Sequence, residues 1–267
     1  MDNMTQTDRR VYLIKALLLE QEKYADIRIP AEKEEQKKLL RSLFNIRMPK
    51  DMDEEFLTIQ NEYLQEEIAE NGITDLKDLE PISEGIYLWR GDITTLRCDA
   101  IVNAANSGMT GCYVPCHKCI DNCIHSFAGL QLRLECAEQM RKQGKEEETG
   151  KAKITSAYNL PCKYILHTVG PIVFGRLTQG DRELLASCYR SCLELAEKKQ
   201  VKSIAFCCIS TGEFHFPNDK AAEIAVETVR RYREQEKSDM EVIFNVFKDA
   251  DYQIYRKLLG ADGRSEK

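Results

Sequence analysis

Apolar positions recur first at helical spacing and then in compact strand-like runs. Val11, Ile14, Leu17 and Leu18 predict a first helix with one buried face. Pro30 is placed to open a second helix at its first turn, with Leu39, Leu40, Leu43 and Phe44 inward. Asp53 can cap a third helix carrying Phe56, Tyr63, Leu64 and Ile68, which Asn71-Gly72 should stop. From Ile86 the pattern alternates. Strands are predicted at 86–89, 100–102, 153–157, 164–168, 203–208 and 242–246, and helices at 120–142, 181–199, 218–231 and 252–259. Strands separated by helices of this length imply a mainly parallel sheet covered on both faces. The Gly- and charge-rich run 142–149 reads as a solvated loop.

Composition narrows the function classes. The 267 residues are 43% hydrophobic and 31% charged, as in an ordinary globular protein. No apolar run reaches the ~20 residues that span a bilayer, and MDNMTQTDRR lacks the apolar core of a secretory signal, so a cytoplasmic protein without membrane partners is expected. A net charge of −6 argues against a nucleic-acid partner, which wants a basic face. The 11 cysteines are an odd number spread over apparent strands and helices. That distribution reads as buried thiols plus a metal site, not a disulfide framework.

The candidate chemistry lies mostly between Gly91 and Gly129. Ala100-Ile101-Val102 is apolar without alternation, as in a strand buried on both faces. Asn103 and Asn106 are expected just past its carboxyl end, where ligands bind in α/β sheets. Two amides there can hydrogen-bond sugar hydroxyls, although asparagine is also common where strands turn. Cys112, His117 and Cys119 offer two thiolates and an imidazole within eight residues, a set suited to zinc with its fourth position open. Cys116 can complete a closed four-ligand site, or form a C-x-x-C redox pair with Cys119. Asp121 falls in the first turn of the following helix, where a carboxylate complements the helix dipole or serves as a proton acceptor. A second loop, Ser210-Thr211-Gly212-Glu213-Phe214-His215-Phe216-Pro217, follows an apolar strand and leads into a helix. Its backbone N–H groups and the helix N-terminus suit a diphosphate. Phe247 ends the last strand and can stack on a base or fill the core. Residues 1 to about 80 carry no cluster of chemically useful groups and read as a helical extension.

These segments together resemble a macrodomain, the ADP-ribose-binding fold, and the cysteine loop resembles that of its zinc-containing bacterial branch. The resemblance runs from about residue 83 to 260, strongest at 91–129 and 210–217. It implies a three-layer α/β/α domain over 83–267 with a mixed, mainly parallel sheet, preceded by a helical extension over 1–82. It also implies one Zn²⁺ on Cys112, His117 and Cys119, with Cys116 at a position the family does not use as a ligand. Asp121-Asn122-Cys123-Ile124-His125 matches the start of the helix whose aspartate helps activate water in hydrolytic members. His125 reads as a packed or hydrogen-bonded helix residue, and His167-Thr168-Val169-Gly170-Pro171 as structural support. By the same resemblance Asn106 meets the distal ribose, Asn103 holds the loop, and Asp92 with Ile93 lies at the adenine. Ser210, Thr211, Gly212, Glu213 and Phe214 cradle the diphosphate, and the family usually has glycine where His215 stands.

The implied activity is hydrolytic removal of mono-ADP-ribose from protein side chains, with a carboxylate linkage expected and Asp121 and Asn106 as catalytic residues. A sirtuin-like ADP-ribosyltransferase and a modified carrier protein are the implied partners. The competing expectations are a non-catalytic ADP-ribose reader with structural zinc and a deacetylase acting on O-acetyl-ADP-ribose.

Overall fold

The computed structural model describes residues 4–260. Its centre is a six-stranded sheet in the order β2-β8-β7-β4-β6-β5, with β2 Ile86–Arg90, β4 Ala100–Ala105, β5 Ala152–Ser156, β6 Tyr164–Val169, β7 Ser203–Phe206 and β8 Glu241–Val246. Every neighbouring pair is parallel except the edge pair β5–β6. A minor pair, β1 Thr74–Asp75 with β3 Leu96–Arg97, lies outside it. Helices α6 Gln179–Lys198, α7 Asn218–Glu236 and α8 Asp249–Leu259 pack side by side as one layer. The other layer holds α4 Ile120–Ala128 and α5 Leu130–Gln143. This is the mainly parallel sheet covered on both faces that the strand and helix spacing predicts, in the mixed α/β/α form that the resemblance implies.

The buried strands explain the sheet. Ala100, Ile101 and Val102 of β4 and Ile204 and Ala205 of β7 are wholly inaccessible to water. Each large aliphatic side chain so buried contributes on the order of 1.5–3 kcal/mol. The chain leaves the carboxyl end of β4 toward β5 and that of β7 toward β8, in opposite directions across the sheet. A crevice opens at such a reversal, and the loops 106–119 and 207–217 border it.

Helices α1 Gln6–Leu19, α2 Lys33–Ile46 and α3 Glu54–Asn71 surround a second apolar core of Leu13, Ile14, Leu17, Leu40, Leu43, Phe44, Phe56, Ile59, Tyr63 and Leu64. Leu130 is the buried residue that joins this core from beyond the three helices. Asp53 caps α3 by accepting from the Phe56 N–H at 2.7 Å, and Gly72 ends it at φ 86°.

Several predicted details are corrected. The buried face of α1 is Arg10, Leu13, Ile14 and Leu17, because Arg10 reaches Gln36 of α2 at 3.0 Å. Pro30 precedes α2, whose N-cap is Glu32. Strand β4 continues to Ala105, so Asn103 lies inside it and Asn106 is the first residue beyond. Strand β7 ends at Phe206. The single helix predicted over 120–142 is two, divided at Gly129, whose φ is 99°. A Cβ at Gly129 would stand 2.8 Å from Gln60 Nε2 and 3.0 Å from Asn159 Nδ2, so the break serves the packing of α3 against this corner. Within the loop after α5, Glu147 is buried and pairs with Lys153 at 2.9 Å.

Candidate active site and metal loop

Asp121 joins the two asparagines at the carboxyl end of β4. It sits in the first turn of α4 and is buried. Its Oδ1 accepts from Asn103 Nδ2 at 2.8 Å and its Oδ2 from Asn106 Nδ2 at 3.1 Å. Burial pushes its carboxyl up to about 6, against the pull of the Asn103 amide, the Arg133 charge and the Asn106 amide. A carboxylate with this affinity is ionised at neutral pH yet retains basicity, which suits a proton acceptor.

The two asparagines differ in role. Asn103 is fully buried, and its amide also meets His167 Nδ1 at 3.1 Å. Since that amide nitrogen donates, Nδ1 accepts and His167 carries its proton on Nε2, 2.9 Å from Thr155 Oγ1. Asn103 therefore orients Asp121 from beneath. Asn106 is half-buried at the strand end, its Nδ2 also donating to the Gly111 carbonyl at 3.2 Å and its Oδ1 accepting from the Gly108 N–H at 3.0 Å. Gly111 lies against the His125 ring: its φ is 83° and a Cβ there would stand 2.7 Å from the imidazole. His125 is buried, and both its ring nitrogens lack a hydrogen-bond partner among the described residues.

Cys112, His117 and Cys119 come together, their ligand atoms all within 4.8 Å of one another. Cys112 Sγ is 3.6 Å from His117 Nδ1. A tetrahedral ion with ordinary zinc–sulfur and zinc–nitrogen bonds spaces such atoms by roughly 3.5 Å, so the loop fits one. Burial pushes the Cys119 thiol up to about 12, so a cation is what would favour its thiolate. The Asn122 N–H faces Cys119 Sγ at 3.4 Å, making Cys119 the N-cap of α4. Cys116 turns away. Its backbone is left-handed (φ 53°), its N–H donates to Asn45 Oδ1 at 2.8 Å, and its sulfur lies 3.2 Å from Ser42 Oγ. On the open side His117 Nε2 approaches Glu213 Oε1 at 3.7 Å.

Glu213 belongs to the second loop. Ser210 is buried with φ 65°, and the Phe216 N–H closes the loop on its carbonyl at 3.0 Å. The His215 N–H bonds the Gly212 carbonyl at 3.1 Å, and His215 itself takes φ 56°, the conformation a glycine would adopt more readily. Among the described residues, the N–H groups of Gly212, Glu213 and Phe214 make no hydrogen bond within the loop. Gly170 backs this turn: a Cβ on it would collide with Ser210 Oγ. Asp92, exposed, caps a short turn through the Thr94 N–H at 2.9 Å, and Ile93 is buried, leaving its backbone for any guest. Phe247 is 77% exposed beyond β8, which removes it from the core and leaves a free aromatic face.

A family profile described as Macro domain matches residues 102–225. A protein from Treponema medium named Protein-ADP-ribose hydrolase is 59% identical over 260 residues, covering 96% of this chain and all of that one. The chain belongs to the Macro domain family. A solved Trypanosoma brucei macrodomain in complex with ADP-ribose is 30% identical, with a TM-score of 0.64 over 82% of this chain and 95% of that one. A Fusarium oxysporum f. sp. cubense protein, named Probable bifunctional ADP-ribose hydrolase/ADP-ribosyltransferase, is 49% identical over 185 residues, 66% of this chain and 31% of that one.

Some residues of this macrodomain's site had no local signal in sequence. Arg41 and Asn45 reach the Cys/His loop from α2, more than seventy positions away. Arg133 lies buried with its guanidinium 4.3 Å from the Tyr113 ring centre. Among the described residues, no helix is long and apolar enough to cross a membrane.

The buried imidazoles make the macrodomain acid-sensitive. Burial pushes His167 down to about 3, and burial, His167 and Arg133 push His125 well below the usual range. Unfolded, both protonate near pH 6.5, so their neutral burial stabilises fully above that pH and progressively less as pH falls toward the folded values. At pH 5 His167 alone removes about 2 kcal/mol of the stability present at pH 7. His125 acts in the same direction, and Asp121, raised to about 6, offsets roughly 1 kcal/mol of the loss. Urea unfolding of the metal-free protein should therefore show stability falling by more than about 1 kcal/mol from pH 7 to pH 5. A flat profile would mean that the imidazoles accept protons without unfolding.

Proposed function

We propose that this macrodomain is a protein-ADP-ribose hydrolase that releases mono-ADP-ribose from modified side chains, with an ester to aspartate or glutamate as the substrate. The observation that carries this reading is a buried carboxylate, Asp121, clamped by two asparagine amides beside a Cys/His loop that fits one metal ion. The Treponema medium relative's name supports the reaction, and the Trypanosoma brucei complex supports the ligand.

ADP-ribose lies in the crevice with adenine between Asp92 and Phe247, its diphosphate on the N–H groups of the 210–216 loop, and its distal ribose at Asn106. Zn²⁺ held by Cys112, His117 and Cys119 would supply Lewis acidity toward an oxygen at the distal ribose. Asp121 accepts a proton from the attacking water as the water oxygen bonds to the acyl carbon. The bond from that carbon to the ribose oxygen breaks, and the ribose oxygen takes the proton back from Asp121. The products are ADP-ribose and the carboxylic acid, which gives its proton to solvent and leaves as the carboxylate. Asn103 keeps Asp121 aimed throughout, and Asn106 holds the sugar hydroxyls. The name of the Fusarium relative supports pairing with an ADP-ribosyltransferase, here a sirtuin-like one acting on a carrier protein.

The test is release of ADP-ribose from a protein modified on aspartate or glutamate, followed by chromatography of the nucleotide product. Catalytic release is expected. Binding of ADP-ribose without turnover on any linkage would reduce the protein to a reader. Faster turnover of O-acetyl-ADP-ribose than of modified protein would move the substrate to the small molecule.

A further inference from the structure

Helix α2 does more than cover the domain. Arg41 Nη2 donates to the backbone carbonyl of His117 at 2.8 Å and to Asn122 Oδ1 at 2.8 Å. Asn122 is fully buried, and its Nδ2 donates to the carbonyls of Cys112 at 3.3 Å and Val114 at 2.9 Å. Its own N–H faces Cys119 Sγ. One arginine and one asparagine thus touch all three metal-binding residues, each through backbone or sulfur and none by competing for the imidazole. The Cys/His loop has little regular structure between β4 and α4 to hold its shape. Without such ties, ordering three ligands for a metal would cost the loop its conformational entropy at the moment of binding.

We propose that Arg41 is a positioning residue of the metal site, and that the N-terminal extension is there in part to present it. This rests on the reading of Cys112, His117 and Cys119 as metal ligands. Outer groups that fix ligand orientation typically change metal affinity by ~10–100-fold when removed. Arg41 is not needed to dock α2, which has independent attachments. Arg133 Nη1 donates to the carbonyls of Phe44, Asn45 and Arg47 at 3.1, 2.7 and 2.6 Å. Asn45 Nδ2 donates to Ser126 Oγ at 2.9 Å. Metal positioning and docking are therefore separable by mutation.

The experiment uses the full chain and Zn²⁺ in competition with a chromophoric chelator, with Co²⁺ absorption as a second readout of ligand geometry. Arg41→Met keeps the stem and removes the donors. It should weaken Zn²⁺ binding ~10–100-fold and alter the Co²⁺ spectrum, with ADP-ribose affinity at saturating Zn²⁺ nearly unchanged and metal-free Tm lowered only modestly, since Asn122 Oδ1 keeps Ser126 Oγ at 3.4 Å. Arg41→Lys, which keeps a donor and the charge, should recover part of the affinity. Arg41→Gln, too short to span both acceptors, carries the same expectation as Arg41→Met should the latter not fold. A folded Met or Gln variant with wild-type metal affinity overturns the proposal. Failure of both to fold overturns it too, because Arg41 would then serve the fold. A wild-type chain that binds neither Zn²⁺ nor Co²⁺ would instead remove the metal reading on which the proposal stands.

Discussion

Replacing Asp121 with alanine is expected to lower kcat for ADP-ribose release by about 10²–10⁴-fold, the usual worth of a positioned proton acceptor. Affinity for ADP-ribose should change by no more than a few-fold, because the adenine and diphosphate contacts proposed above lie elsewhere in the crevice. The geometry makes the substitution informative. Asp121 is the acceptor for both Asn103 and Asn106, so its removal leaves two amides to relax or take up water. Unsatisfied buried donors cost about 1–3 kcal/mol, and a lower Tm should accompany the lost turnover. Calorimetric ADP-ribose binding and single-turnover release, measured on the same preparation, separate the effects. Full activity in the variant would move the chemistry away from this carboxylate.

Cys119→Ser should be nearly as damaging by another route. Serine preserves an N-cap acceptor at the start of α4 but is a poor ligand for a borderline-soft ion. Loss of several kcal/mol of Lewis-acid stabilisation corresponds to a rate decrease of about 10²-fold or more. Chelation of the wild-type protein should reproduce that loss and re-addition of Zn²⁺ should reverse it. Cys116→Ser is the control: its sulfur faces Ser42 and the Lys38 carbonyl, so zinc content and turnover should stay at wild-type values. Unchanged turnover in a zinc-free protein would make the metal an element of loop structure alone.

The sheet was legible because its strands are short, apolar and bounded by helices of regular period. Strand β8, predicted over 242–246, spans Glu241–Val246. The elements that misled are those set by distant partners. The apolar period runs through 120–142, and Gly129 is the one local sign of the break there; a Cβ at that position would crowd Gln60 and Asn159, so the glycine fits the bend to distant partners. Arg10 lies outside the predicted apolar face of the first helix, and Gln36 of the next helix holds it inside. The Cys/His loop was visible because its members fall within eight positions. Arg41 was invisible because an arginine on an amphipathic helix has many ordinary uses. His215 shows a milder case: its left-handed backbone is fixed by the loop it closes, not by its own preference.

The approach of His117 to Glu213 joins two loops that leave different strands, one bearing the Cys/His set and the other the turn proposed to hold the diphosphate. If that contact differs between the empty and filled states of either half-site, occupancy of the two becomes thermodynamically linked. Whatever factor a filled Cys/His site contributes to nucleotide affinity, the nucleotide must return to the ion, because the two orders of addition reach the same ternary state. Where that factor exceeds one, scarcity of either guest loosens the hold on the other, and an ion at the Cys/His set would be retained best while nucleotide is plentiful.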